Sequence, residues 1–243
     1  MSKHSKKPVC SKVEELLASL ELGRPRTPDE LLAVAAEIDR VLGESEELRI
    51  MSCPPRLWKK YIEEVRPLTH LARGLFPGRQ DVLCQPNLSD SGNYDAIITF
   101  TFEKAPKKLL VEFTYAKDGH EDSLRMKVLN KKGRVNLLVQ PRHGGTKNTG
   151  HHIEIPDEVV LKSHTLEKHR CLIVGRIKAK ANKKYGPEHI LVVVFDDLVS
   201  FRTDQEMADL KSYVASEICL LALEFRSLYL LGSSGKVLSE LRL

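Results

Sequence analysis

An α/β fold, a mixed central β-sheet flanked by helices, is what the order of apolar segments predicts. Three observations carry that prediction. The run His189–Asp196 (HILVVVFD) is apolar almost throughout, the pattern of a strand buried on both faces. The stretch Asn93–Ala116 (NYDAIITFTFEKAPKKLLVEFTYA) reads as two apolar strands joined by a charged turn. Segments with apolar residues at helical spacing precede, separate and follow these strands, as expected of helices packed on a sheet.

Taken in order, residues 1–8 form a basic tail without an apolar pattern. From Val9 to Leu22 the residues Val13, Leu16, Leu17 and Leu20 fall at helical spacing, and Gly23 with the Pro25–Pro28 segment ends that helix. Thr27 is suited to cap a second helix, with Pro28 at its first position and Glu30 completing a capping box. Leu31, Ala35, Ile38 and Val41 lie on its apolar face, and it should end near Gly43. These two helices make an N-terminal appendage over residues 1–53, and residues 54–243 make the main α/β domain. A third helix, Leu57–Leu75, carries Trp58, Tyr61, Val65 and Leu68, and Pro67 should kink or divide it.

A short strand at Val82–Gln85 and the turn-rich loop Pro86–Asn93 lead into the hairpin. Beyond it, Asp118-Gly119 reads as a turn, Ser123–Asn130 as a short helix, Arg134–Gln140 as a strand, and residues 141–156 as a long mobile loop. His164–Tyr185 is helical and strongly basic in its last turns. A long helix over Asp204–Phe225 and a hairpin of Leu228–Leu231 with Lys236–Leu241 close the chain.

Composition bounds the function. A net charge of +5 on 243 residues permits a nucleic-acid or phosphate partner without requiring one. The five cysteines form no CxxC pair, which argues against a disulfide framework and a zinc ribbon and fits reduced thiols in a cytoplasmic protein. The N-terminus lacks the apolar core of a signal peptide, and no segment approaches the roughly 18 apolar residues of a membrane span, so no membrane partner is expected. No Walker loop, GxGxxG or Ser/His/Asp ordering supports nucleotide hydrolysis, dinucleotide binding or acyl transfer. His143, His151 and His152 read as polar loop residues, because no HxxxH pair or nearby cysteine accompanies them.

The candidate chemistry centres on Asp95 and Glu112. With the turn at Phe102–Ala105, the two face each other across an antiparallel pair, with Cβ atoms ~5 Å apart. Carboxylates that close repel, and one must hold a proton unless a cation lies between them. A divalent ion with oxygen ligands is the natural occupant, Mg²⁺ by default. The plainer alternative is two strand-end acids in solvent. Glu63 or Glu64 could reach such a site from the third helix, or could lie on its solvated face. Arg176, Lys180, Lys183 and Lys184 share one helix face, and Arg125, Lys127, Lys131, Lys132 and Arg134 form a second basic group. Either could hold a phosphate backbone. A solvated helix end, with cations favoured by the helix dipole, is the alternative.

Asp95, an apolar strand, and Glu112 with Thr114 two residues on resemble the signature of the PD-(D/E)xK restriction-endonuclease-like superfamily. The basic helix end at residues 177–186 followed by HILVVVF is similar to a lysine-rich helix and core strand in that superfamily, and the resemblance spans about residues 75–201. It implies a restriction-endonuclease-like sandwich in which Asp95 and Glu112 bind Mg²⁺ and a lysine assists the water. Thr114 stands where that lysine would be. Some members recruit the lysine from another element; here Lys180 is preferred, since its helix should pack on the sheet, with Lys117 the rival and a catalytically dead site the third outcome. Glu63 or Glu64 would be the upstream acid that some members use. The implied function is Mg²⁺-dependent hydrolysis of phosphodiester bonds in DNA, or in RNA, with Arg176, Lys183, Lys184, Arg125 and Lys127 on the nucleic acid. The alternative is an inactive nuclease-derived domain that binds nucleic acid or a protein partner. The N-terminal helices could serve a homodimer or a protein partner.

Overall fold

The computed structural model describes residues 15–44, 56–89, 92–102, 105–132, 142–144, 152–154, 161–183, 185–198 and 200–241. Helix α1 (Pro28–Glu44) and helix α2 (residues 56–75) precede strands β1 (Val82–Pro86), β2 (Ala96–Phe102) and β3 (Ala105–Tyr115). Helix α3 (Gly119–Lys132), strands β4 (Arg142–Gly144) and β5 (His152–Glu154) and helix α4 (Lys162–Ala181) follow. Strand β6 (His189–Phe195), helix α5 (Asp204–Ile218) and strands β7 (Ser227–Gly232) and β8 (Leu238–Leu241) complete the order.

The α/β class is the predicted one. Six strands form an open sheet in the order β1-β2-β3-β6-β7-β8, and β4 pairs separately with β5. The pairs β1/β2, β2/β3 and β7/β8 are antiparallel. Strands β3 and β6 run parallel: Leu110 N–H donates to Glu188 O and Ala116 N–H to Val194 O, advancing the same way along both chains. A parallel neighbour needs a long crossover, supplied here by the segment that holds α3 and α4. All seven residues of β6 are buried, as its unbroken apolar sequence predicts.

The chain divides into two compact units, Met1–Phe113 with Tyr185–Val192, and Thr114–Lys184 with Val193–Leu243. In the first, α1 begins with the expected capping box: Thr27 N–H donates to Glu30 Oε2 at 2.9 Å, and Glu30 N–H to Thr27 Oγ1 at 3.3 Å. Leu31, Ala35 and Ile38 are buried, and α1 packs on α2 and β1. The buried Tyr61 hydroxyl fastens the two helices, donating to Asp39 Oδ1 at 2.8 Å and lying 3.1 Å from Ala35 O. Arg26, also buried, donates to the carbonyls of Leu20, Glu21 and Arg24 and so closes the end of the preceding helical segment.

Pro67 acts on α2 through a widened turn. The helix is α-helical over Arg56–Lys60, π-helical over Tyr61–Val65 and α-helical again over Arg66–Leu75. Pro67 has no N–H to give to the carbonyl four residues back, and its ring would press on that carbonyl. The turn relaxes ahead of it, with Arg66 N–H bonding Tyr61 O across five residues. Tyr61, Glu64 and Val65 are all buried in this turn.

In the second unit α4 packs on α5, with Lys178 and Glu217 paired at 2.9 Å. Glu121 of α3 binds Lys168 of α4. Helix α3 starts at Gly119, ahead of the predicted Ser123, because Asp118 Oδ1 accepts from the His120 and Glu121 N–H groups and caps it. Helix α4 ends at Ala181, short of the predicted Tyr185, since Gly186-Pro187 cannot continue a helix. Helix α5 ends at Ile218 instead of Phe225, where Leu221 N–H turns back to Ile218 O. The buried Asp197 carboxylate accepts from Ser233 Oγ, Ser234 Oγ and Ser234 N–H and fixes the turn between β7 and β8. Part of the predicted loop 141–156 is strand, pairing His143 with Ile153. The predicted strand Arg134–Gln140 and the tail 1–8 lie outside the described residues. Among the described residues no helix is long and apolar enough to cross a membrane.

Tyr61→Phe should lower the unfolding free energy by about 1–2 kcal/mol, because it removes a buried hydroxyl bonded to α1. Urea denaturation should show an earlier midpoint with an unchanged slope; an unaltered midpoint would contradict this docking.

Candidate functional site

The register of the central hairpin is the one predicted from the turn position. Phe102 pairs with Ala105 and Ala96 with Val111, where the regular pairing ends, and Asp95 lies just before β2. Three hydrogen bonds hold Asp95 there. Its N–H donates to Val111 O at 2.7 Å, its carbonyl accepts from Asn87 N–H at 2.8 Å, and its Oδ2 accepts from Phe113 N–H at 2.7 Å. Glu112 is 7% exposed. Thr114, two residues on and on the same strand face, is also buried.

Helix α2 separates its two candidate acids. Glu63 is paired with Lys59 at 3.8 Å at the solvated side. Glu64 is buried, its Oε1 2.6 Å from Lys60 Nζ, and its Oε2 has no hydrogen-bond partner among the described residues. Burial pushes the Glu64 carboxyl up to about 7; Lys60 opposes this shift, and the charges of Asp95 and Glu63 add to it. Asp95 therefore lies within electrostatic reach of Glu64.

Tyr185 joins the group from the segment before β6. Burial raises its phenol above the ordinary value, as do the charge of Glu112, a hydrogen bond to the Glu112 carboxylate, and Asp95. The His189 ring meets the Tyr185 ring edge-on at 5.3 Å, and its Nδ1 accepts from Gly186 N–H at 3.2 Å. Lys60, Glu64, Asp95, Glu112 and Tyr185 all belong to the first unit. Sequence reading missed Lys60 and Tyr185. The four-residue spacing of Lys60 and Glu64 was a readable signal for the first; Tyr185 carried none, being assigned to a helix end.

The other predicted residues lie in the second unit. Lys117 is exposed, its ammonium 5.1 Å from the centroid of the Tyr115 ring. Lys180 is half-buried on α4. Arg176 is exposed and donates to Lys117 O at 3.0 Å. Arg125 is half-buried and paired with Glu121 at 2.7 Å, so its charge is engaged inside the unit. Lys127 and Lys183 are exposed, and Lys184 lies outside the described residues.

Among the described residues, no three His, Cys, Asp or Glu side chains converge closely enough to hold a metal ion. Asp95, Glu112 and Glu64 all lie in the first unit, and together they do not form such a group. Their hard carboxylate oxygens are the ligand type of Mg²⁺. Comparison with models of protein families, with curated proteins and with solved structures finds no match for this chain.

Glu64 gives the fold a pH dependence of definite sign. Its carboxyl is raised from 4.5 to about 7, so between these values the native state binds more protons than the unfolded chain. Its contribution to stability is full below about 4.5 and is lost as the pH rises through about 7, a change on the order of 3 kcal/mol. Urea unfolding at pH 5 and pH 8 should show this fall in the wild type and a flatter profile in Glu64→Gln. Coincident profiles would contradict the burial of Glu64.

Proposed function

We propose that this chain is a Mg²⁺-dependent phosphodiesterase that cleaves DNA, with a restriction-endonuclease-like fold and ExT in place of ExK. The observation that carries the reading is the position of Asp95, whose N–H donates to Val111 O and whose carboxylate accepts from Phe113 N–H, on either side of Glu112 in β3. The mixed sheet is compatible with the sandwich that the resemblance implies.

When bound, Mg²⁺ polarises a phosphoryl oxygen and acidifies water. Asp95 and Glu112 would hold it. The Asp95 backbone bonds keep its carboxylate at the head of β2, and the Tyr185 hydroxyl orients the Glu112 carboxylate, as outer partners of metal ligands do. In the hydrolysis a water oxygen bonds to phosphorus as the bond to the departing sugar oxygen breaks. The water's proton passes to solvent, and the leaving oxygen takes one from solvent. The exposed cations Lys127, Arg176 and Lys183 are suited to backbone phosphates, a contact that carries affinity without sequence preference.

An inactive nuclease-derived domain that binds nucleic acid is the second reading. It is favoured by Thr114 at the lysine position and by the absence of a three-residue metal cluster among the described residues. Plasmid nicking in Mg²⁺ separates the two. The hydrolase reading expects cleavage by the wild type and a loss of roughly 100-fold or more in Asp95→Ala and in Glu112→Ala. Salt-sensitive DNA binding without cleavage supports the inactive reading, and no DNA affinity at low salt overturns both.

A further inference from the structure

We propose that the turn Gly186–His189 is a proton-sensitive latch: with His189 neutral it holds the Tyr185 phenol at Glu112, and protonation of the imidazole opens it. The latch belongs to the fold and does not depend on the hydrolase reading. Two bonds close the turn. His189 N–H donates to Gly186 O at 2.9 Å, and Gly186 N–H donates back to His189 Nδ1 at 3.2 Å. A backbone N–H only donates, so Nδ1 offers its lone pair there and the ring proton sits on Nε2. The latch thus closes on the neutral ring alone.

The surroundings of the ring leave a charge on it uncompensated. His189 is 6% exposed, and its Nε2 has no hydrogen-bond partner among the described residues, a carboxylate included. The titratable group in contact with the ring is the Tyr185 phenol, with the Glu112 carboxylate beyond its hydroxyl and Glu188 next in the chain. A proton on Nδ1 would set one donor against another, the Gly186 N–H, and would bury a cation. The turn must therefore give way as the pH falls through the range in which imidazoles charge, about 6.5. Tyr185 directly precedes the turn and is buried, its ring meeting the His189 ring edge-on at 5.3 Å and its hydroxyl bonding the Glu112 carboxylate. Within the turn, Glu188 O accepts from Leu110 N–H at 2.9 Å, where β6 meets β3. Glu112, Tyr185 and His189 belong to one unit. Opening the latch frees Glu112 from its phenol partner and loosens the start of β6.

The test is a pH titration of the full chain from pH 8 to pH 4.5, read by nitrogen-15 spectra of the histidine rings, carbon-13 spectra of the tyrosine rings and amide exchange at Gly186. At pH 8 the His189 ring should be the Nε2–H tautomer. As it takes up a proton, the Tyr185 ring signal should move with it. The protection of the Gly186 amide, corrected for the intrinsic exchange rate, should fall about 5-fold or more, the loss of one hydrogen bond. In His189→Asn the side-chain oxygen can accept from Gly186 N–H without titrating, so both signals should hold constant across the range. In His189→Leu, which has no acceptor, the Tyr185 signal should keep its acidic position at every pH. An Nδ1–H tautomer at pH 8, a ring that stays neutral down to pH 4.5, or a His189 that charges while Tyr185 and Gly186 keep their signals overturns the latch. So does a His189→Asn protein that titrates like the wild type. Should a variant fail to fold, the wild-type titration decides, since it reads ring, phenol and amide in one molecule.

Discussion

The register of β2 against β3 is the constraint that orders the first unit. Side chains alternate across a strand, so a slip of one residue would turn every side chain of β2 to the opposite face. Apolar packing resists such a slip, since Ile98 and Val111 are fully buried whereas Ile97, Thr99 and Leu110 beside them are only half-buried. The Asp95 carboxylate adds its own lock by accepting from Phe113 N–H. This side chain therefore clamps the head of β2 to β3.

A second constraint comes from α2. Pro67 obliges the helix to widen its preceding turn, and that turn holds Glu64 in the interior beside Lys60. A buried carboxylate without compensation is costly, and Lys60 offsets the charge while one oxygen still lacks a hydrogen-bond partner. Tyr61, also in the turn, ties it to α1 through Ala35 and Asp39. The N-terminal helices thus help hold in place the turn that carries Glu64.

Much of this architecture was legible in the sequence because it rests on local signals. The Val-rich run of β6, the alternating hairpin and the Thr27–Glu30 capping box each specify their element within a few residues. The hairpin register was legible too, since the turn position fixes it from Phe102–Ala105 to Ala96–Val111. Glu64 could not be told from Glu63, because burial depends on a π-helical turn that helical periodicity does not reveal. Tyr185 escaped notice because it is defined by a partner on another element, Glu112, whereas the Lys60–Glu64 pair was readable from its four-residue spacing. The ends of α4 and α5 were placed too late, where basic and apolar composition continues past the last helical hydrogen bond. The paired ends of the 141–156 segment were hidden because Ile153 and Ile155 are its only large apolar residues.

The proposed hydrolase reading requires Asp95 and Glu112 to share one divalent cation. Anomalous diffraction from crystals grown with Mn²⁺ as a stand-in for Mg²⁺ tests it directly. A single strong peak is expected, with an Asp95 oxygen and a Glu112 oxygen each about 2.2 Å away, absent from crystals of Asp95→Asn. A peak held by other residues, or no peak at these carboxylates at millimolar Mn²⁺, would contradict it.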